Sequence, residues 1–141
     1  MEIAFVEDAA AIARCYPLMA TLRPRLSRED FLSAVPRMAA EQGYRLVCLE
    51  DEGVPRGLAG IRIGEWLHTG RYLEIEDLVV AEGQRSKGYG RALLHWVAGH
   101  ARRQGCRQLR LVSGVKRTDA HRFYEREAMM FEAKYFSMDL A

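Results

Sequence analysis

The stretch VAEGQRSKGYGRALL, residues 80–94, holds the densest chemistry in the chain. The apolar run Leu78, Val79, Val80 gives way to Gln84, Arg85, Ser86 and Lys87, then to Gly88, Tyr89 and Gly90, and then to a helical pattern that starts near Arg91. A bend between a strand end and a helix start can aim successive backbone N–H groups into one concavity, where the helix terminus adds partial positive charge. Glycine at 88 and 90 lets an anion approach the chain closely, and Arg85, Lys87 and Arg91 surround the bend with positive charge. The chemistry on offer is capture of a phosphate. Two familiar phosphate loops do not fit. Gly83 and Gly88 have the spacing that opens a Walker A loop, but Tyr89 and Gly90 stand where a lysine and a hydroxyl should follow. Gly88 and Gly90 could begin a dinucleotide fingerprint, but Leu93 stands where a third glycine is needed, and no Rossmann half surrounds it. An ordinary basic strand-to-helix turn would carry the same residues, so the rest of the chain must decide.

The elements around this bend are legible. Residues 2–6 read as a short strand. Asp8 can cap a helix over about 9–22, bent or interrupted by Pro17, and Ser27 with Asp30 resembles a weakened capping box that opens a second helix to about Gln42. Gly43 ends that helix, and Pro36 inside it argues against its continuity. Residues 44–50, 57–67 and 71–80 are strand-like and separated by short turns, which predicts an antiparallel meander. Leu93, Leu94, Val97, Ala98 and Ala101 then fall at helical spacing over about 89–104, with Gly105 as the stop. Residues 108–113 return to a strand, so strand, helix and strand form a βαβ unit with 71–80 and 108–113 as parallel neighbours. Thr118 or Asp119 can cap a helix over about 119–127, and residues 131–140 alternate as a closing strand. The result is a mixed α/β (α+β) sheet that changes from antiparallel to parallel near its centre. His68 and His100 read as surface residues and His95 as partly buried.

Composition narrows the function. A chain of 141 residues is expected to form one domain with its own core. A formal net charge of +2 argues against bulk electrostatic binding to nucleic acid or membrane. Cys15, Cys48 and Cys106 are widely spaced and contain no CxxC, which fits buried thiols in a reducing compartment rather than zinc, another metal site or a disulfide framework. The acidic start MEIAFVEDAA lacks the charge pattern of a signal peptide, and no run approaches the roughly 20 apolar residues that span a bilayer. A cytoplasmic protein is the expectation.

The run Arg85, Ser86, Lys87, Gly88, Tyr89, Gly90 after LEIEDLVV, together with Ala120-His-Arg-Phe123-Tyr124 further on, resembles the GCN5-related N-acetyltransferase (GNAT) superfamily. The first run matches that family's Q/R-x-x-G-x-G/A acetyl-CoA signature, and the second matches its later alanine, aromatic and tyrosine segment. The likeness covers about residues 44–140. It implies a GNAT fold with helices on both faces of the sheet. It also implies acetyl-CoA as acyl donor, with the backbone of residues 85–91 on the pyrophosphate and the edge of Leu78, Val79 and Val80 pairing with pantetheine like an added strand. Arg117 stands where the family often has an asparagine on the cofactor arm. Ala128 and Met129 replace a common Gly-Phe.

Acetyl transfer to an amine sets three needs. The amine must lose a proton, because a primary alkyl amine has a pKa of about 10.4. Glu74 is the first candidate base and Glu76 the second, acting directly or through water. On a regular strand they share a face that Asp77 does not, unless a bulge intervenes near Leu78. The thioester oxygen needs a donor, which a backbone N–H near Val79 or Val80 could supply. The leaving thiolate needs a proton, and Tyr124 lies at the family's position for that acid. His121, three residues away, could shuttle protons or make a structural hydrogen bond.

The segment from Val115 to Glu127 looks most like aminoalkylphosphonate N-acetyltransferases. A small-molecule amine is therefore the expected acceptor, with Arg62, Lys116 and Arg117 available to an anionic group on it. A protein lysine or N-terminal acceptor and a non-catalytic acetyl-CoA sensor are the competing readings. Dimers are common among relatives, and the terminal strand could lend an edge to a homodimer.

Overall fold

The computed structural model describes residues 1–84 and 87–141; the expected phosphate contacts of Arg85 and Ser86 lie outside them. The chain divides into two compact units, Met1–Arg110 and Leu111–Ala141.

The first unit is built on a sheet in the order β1 (Glu2–Val6), β2 (Arg45–Asp51), β3 (Val54–Trp66), β4 (Gly70–Val80) and β5 (Gln108–Leu111). The first three pairings are antiparallel, and the two among β2, β3 and β4 are the meander that the sequence pattern predicts. The Arg107 N–H donates to the Arg71 carbonyl at 2.7 Å, and Arg110 Nε meets Glu74 Oε1 at 2.8 Å. β5 therefore runs alongside β4 in the same direction. A mixed sheet follows from a single crossover helix, α3 (Tyr89–Arg103).

Two helices precede the meander. In α1 (Ala9–Leu22) the Asp8 carboxylate accepts from the Ala11 N–H at 2.8 Å, and in α2 (Arg28–Gln42) the Ser27 hydroxyl accepts from the Asp30 N–H at 3.1 Å. Both caps are the ones read from sequence. Pro17 and Pro36 sit inside their helices without ending them. Buried Phe31 and Val35 hold α2 against the core, and that packing outweighs the hydrogen bond proline cannot make.

Side-chain parity sorts the core into two faces. Tyr44, Leu46, Cys48 and Leu58 pack with Ile12, Cys15, Leu18 and Met19 of α1 and with Phe31 and Val35 of α2. The opposite face carries α3, whose Leu93 side chain lies 3.4 Å from where a Cβ on Gly57 would stand. Because β2 and β3 are covered on both sides, residues 46–49 form one continuous apolar run.

His100 belongs to this interior, at 8 % exposure, while His95 is exposed. This reverses the expectation, and the helical period explains why: His100 lies three residues beyond buried Val97 and seven beyond buried Leu93. Its ring meets Phe5 edge-on at 5.0 Å and stacks near Trp96 at 6.0 Å. Burial, with Arg45 and Arg103 nearby, pushes its pKa below 6.5. A group that resists protonation in the fold lets the unfolded chain take up protons first, so stability should fall as pH drops below about 6.5. Thermal unfolding of wild type and His100→Phe between pH 7 and 5 measures this; a shallower loss in the variant is expected, and an equal slope would assign the loss to other groups.

The second unit holds α4 (Thr118–Arg126). Its N-cap is Arg117, without a side-chain cap bond, rather than Thr118 or Asp119. Residues 131–140 carry no strand, contrary to the alternating pattern. Phe131, Tyr135, Phe136, Met138 and Leu140 are exposed. Alternation specifies which side chains would share a face if a ladder formed; it does not supply the ladder partner that a strand requires.

Candidate functional site

The end of β4 is shaped by a bulge. Gly60 pairs with Asp77 and the next residue, Ile61, pairs with Ile75, so Glu76 is the extra residue. A bulge of one residue reverses the parity of everything after it. Glu74 lies opposite Arg62 and Asp77 opposite Gly60; Gly60 and Arg62 are two residues apart, so both acids share the face that carries α1 and α2. The regular-strand reading, which put Asp77 on the other face, is corrected by this shift.

Each of the three carboxylates has an arginine partner. Glu74 Oε1 meets Arg110 Nε at 2.8 Å, and the Arg110 guanidinium lies over the rings of Trp66 and Tyr72, at 3.7 and 3.5 Å. Glu76 is engaged through both oxygens by Arg62, at 2.7 and 3.1 Å, and Arg62 Nη1 also donates to Gln42 at 2.5 Å. Asp77 Oδ1 accepts from Arg23 Nε at 3.0 Å, and Asp77 Oδ2 accepts from the Tyr44 hydroxyl at 2.8 Å. Burial first, and then the Asp77 charge, push the Tyr44 phenol far up, so it stays a donor. Arg110 engages one oxygen of Glu74, whereas Glu76 and Asp77 have both oxygens engaged.

The bulge also decides which backbone groups face outward. Arg71 turns its carbonyl to β5 and Ala81 turns its N–H to Arg56 of β3, at 2.8 Å. Backbone groups alternate along a strand, so Asp77 and Val79 point toward β3, as Ala81 does. Leu78 and Val80 point to the other edge of β4. Of the two expected oxyanion donors, Val80 has the outward N–H and Val79 does not.

The described part of the bend into α3 begins at Lys87. Gly88 adopts φ +76°, a left-handed conformation suited to glycine, and among the described residues a Cβ there would meet nothing within 4 Å beyond its chain neighbours. The N-cap of α3 is Gly88, which brings no side chain to the first turn, so the N–H groups there are of the kind that can receive an anion. Lys87 and Arg91 are exposed beside it. Tyr89 serves differently from its neighbours: its ring is buried, and its hydroxyl donates to Asp51 Oδ2 at 2.5 Å, tying the start of α3 to the end of β2. That bond, ahead of other causes, holds the Asp51 carboxyl below its usual range. Only the backbone of Tyr89 could hold a phosphate.

In the second unit, burial raises the Tyr124 phenol above its ordinary value near 10, with the Arg117 guanidinium opposing the shift. Tyr124 therefore keeps its proton at neutral pH. The His121 ring meets the Gly114 carbonyl at 2.9 Å, the structural hydrogen bond that was one of its two readings. Among the described residues no group of three or more His, Cys, Asp and Glu side chains gathers as metal ligands would, and no helix is long and apolar enough to cross a membrane. Sequence reasoning missed Arg23, Tyr44 and Arg110, which have no short-range motif; the isolated Gly60 inside a strand was the available signal for a bulge.

Residues 10–128 match the profile of the acetyltransferase (GNAT) family. The chain is 38% identical over 112 residues to the uncharacterized N-acetyltransferase YhdJ of Bacillus subtilis, covering 79% of each chain. It is also 38% identical over 85 residues to the aminoalkylphosphonate N-acetyltransferase of Salmonella typhimurium, covering 60% of this chain and about half, 54%, of that one. Among solved structures, the aminoglycoside N-acetyltransferase AAC(6')-Iy in complex with CoA superposes with a TM-score of 0.84 at 16% identity, covering 99% of this chain and 95% of that one, a likeness of fold. With a family profile spanning most of the sequence and a relative alike over 79% of its length, this protein belongs to the GNAT family of acetyltransferases, and it is an N-acetyltransferase that draws its acyl group from acetyl-CoA.

Proposed function

We propose that the protein transfers the acetyl group by direct attack of the primary amine of a small molecule on acetyl-CoA. The observation that carries this reading is the combination at the end of β4. An outward-facing backbone edge at Leu78 and Val80 leads into an uncapped helix start at Gly88, beside a carboxylate-bearing face. The lack of any described non-neighbour atom within 4 Å of a Cβ on Gly88 supports a phosphate there, which the backbone of Gly88, Tyr89 and Gly90 would hold with Lys87 and Arg91. Arg85, Ser86 and Arg117 complete the proposed cofactor contacts.

Glu74 accepts the proton that the amine loses as its nitrogen bonds to the acetyl carbon. The Val80 N–H stabilises the charge that develops on the acetyl oxygen. As the C–S bond breaks, Tyr124 gives its proton to the thiolate, and solvent returns a proton to the phenolate and takes one from Glu74. Glu74 is favoured over Glu76 because Arg110 engages only one of its oxygens. The 38% identity to an aminoalkylphosphonate N-acetyltransferase supports a compact amine carrying an anionic group.

Thiol release from acetyl-CoA tests the acceptor class across aminoalkylphosphonates, polyamines, aminoglycosides and lysine or N-terminal peptides. Turnover is expected on a small amine; turnover on peptides alone would transfer the assignment to protein acetylation, and cofactor binding without turnover would favour a sensor. On the best acceptor, Glu74→Gln should lower kcat by roughly 100-fold, within the range for a positioned base, and Glu76→Gln by less. The reverse order would move the base to Glu76.

A further inference from the structure

The bulge at Glu76 is the hinge of the site, since it alone makes Leu78 and Val80, rather than Asp77 and Val79, face the outer edge. A bulge is not fixed by the ladder it interrupts, because its extra residue has no partner there. We infer that Arg23, Tyr44 and Asp77 form a register lock that selects Leu78 and Val80 as the backbone groups offered to acetyl-CoA. This inference rests on the proposed cofactor edge.

The contacts converge on the bulge from three elements. Arg23, at the C-cap of α1, donates through Nη2 to the Glu76 carbonyl at 2.9 Å, the carbonyl of the unpaired residue itself. The same guanidinium reaches Asp77 Oδ1, at 2.9 Å from Nη2 and 3.0 Å from Nε. Tyr44, at the entrance to β2 and buried, donates to Asp77 Oδ2 at 2.8 Å. Gly60, opposite Asp77, leaves the room: a Cβ there would collide with the Tyr44 hydroxyl and come within 2.6 Å of Asp77 Oδ2.

Without the bulge, a straight strand would place Asp77 on the face packed by α3, among apolar side chains, and would turn Leu78 and Val80 toward β3. The lock opposes that slip twice. It rewards Asp77 for staying on the face of α1 and α2, and it satisfies the carbonyl that the bulge takes out of the ladder. Arg23, Tyr44 and Asp77 are thus positioning residues. None needs to touch the acetyl group.

The test uses the full-length protein and coenzyme A as the probe. Hydrogen exchange at the Leu78 and Val80 amides is measured with and without coenzyme A in wild type, Tyr44→Phe, Arg23→Gln and Asp77→Ala. Wild type should show protection of both amides on binding. The variants should lose it, with acetyl-CoA KM raised about tenfold and kcat lowered in Asp77→Ala. Arg23→Lys, which keeps the charge and a single donor nitrogen, should recover part of the loss. Tyr44→Phe preserves the buried ring and so stays informative if Asp77→Ala does not fold. Absence of protection in wild type would overturn the cofactor edge itself. Protection in wild type that persists in folded Tyr44→Phe and Arg23→Gln, with KM within twofold, would overturn the lock alone.

Discussion

Gly88→Val is expected to weaken coenzyme A binding by about 10- to 100-fold while leaving the protein folded. Gly88 sits at φ +76°, where a β-branched residue is a backbone outlier costing roughly 1–3 kcal/mol. Among the described residues, a Cβ there has nothing within 4 Å beyond its chain neighbours, so placing it forces no repacking of them. Two outcomes share the penalty. Where the left-handed conformation persists, the isopropyl group occupies the space in front of the first turn of α3. Where the chain relaxes to negative φ, the N–H groups no longer converge. Either way the phosphate is the loser, and the strain alone corresponds to about a factor of ten per 1.4 kcal/mol if it falls on binding. Gly88→Ala separates the contributions, because it carries strain with little bulk and should weaken binding less. Gly83→Ala is the control: Gly83 has φ +78° and equally open surroundings but lies outside the helix start, so it should cost stability without a comparable loss of affinity. Calorimetric titration with coenzyme A alongside thermal unfolding reads both quantities. Affinity of Gly88→Val within twofold of wild type would remove the bend from the cofactor site.

What the sequence revealed and what it concealed follow from how local each signal is. Asp8 and Ser27 cap their helices through bonds to the third residue onward, and Gly43 ends α2 at φ +72°, so helix limits were legible from neighbours in the chain. The glycine bend was legible for the same reason. The face of Asp77 was not. It depends on one extra residue in β4, stabilised by Arg23 and Tyr44 from 54 and 33 positions away, and period-two reasoning assumes the regularity that the bulge breaks. Tyr89 shows a second limit. Within the glycine motif it looks like a ligand contact, but its hydroxyl is committed to Asp51, 38 residues earlier. Residues 131–140 show a third, since alternation describes what a segment can pair with and not whether a partner strand is there. His100 could have been placed correctly, because the 93, 97, 100 spacing was already in the pattern used to identify α3.

Tyr124→Phe should lower kcat by roughly 100-fold or more, the lower end of what a positioned acid contributes, with coenzyme A affinity nearly unchanged. The variant keeps the ring that packs beside Phe123, at 5.6 Å between centroids, and removes only the hydroxyl. An interaction formed only as the C–S bond breaks affects turnover and kcat/KM together and leaves ground-state binding alone. The pH dependence follows from the same phenol. Because burial raises its pKa above the ordinary 10, the acid form persists through neutral and moderately alkaline pH. Activity should therefore climb with pH as the amine sheds its proton, and should not decline until above about pH 10. Removing the opposing charge with Arg117→Gln would raise the phenol further and shift any alkaline decline upward. A plain structural role predicts something else: Tyr124→Phe would lose little kcat, and the alkaline limb would be the same in wild type, Tyr124→Phe and Arg117→Gln. The comparison belongs on an acceptor for which expulsion of the thiolate, rather than product release, limits turnover, because only there does a missing proton donor weigh fully on the rate.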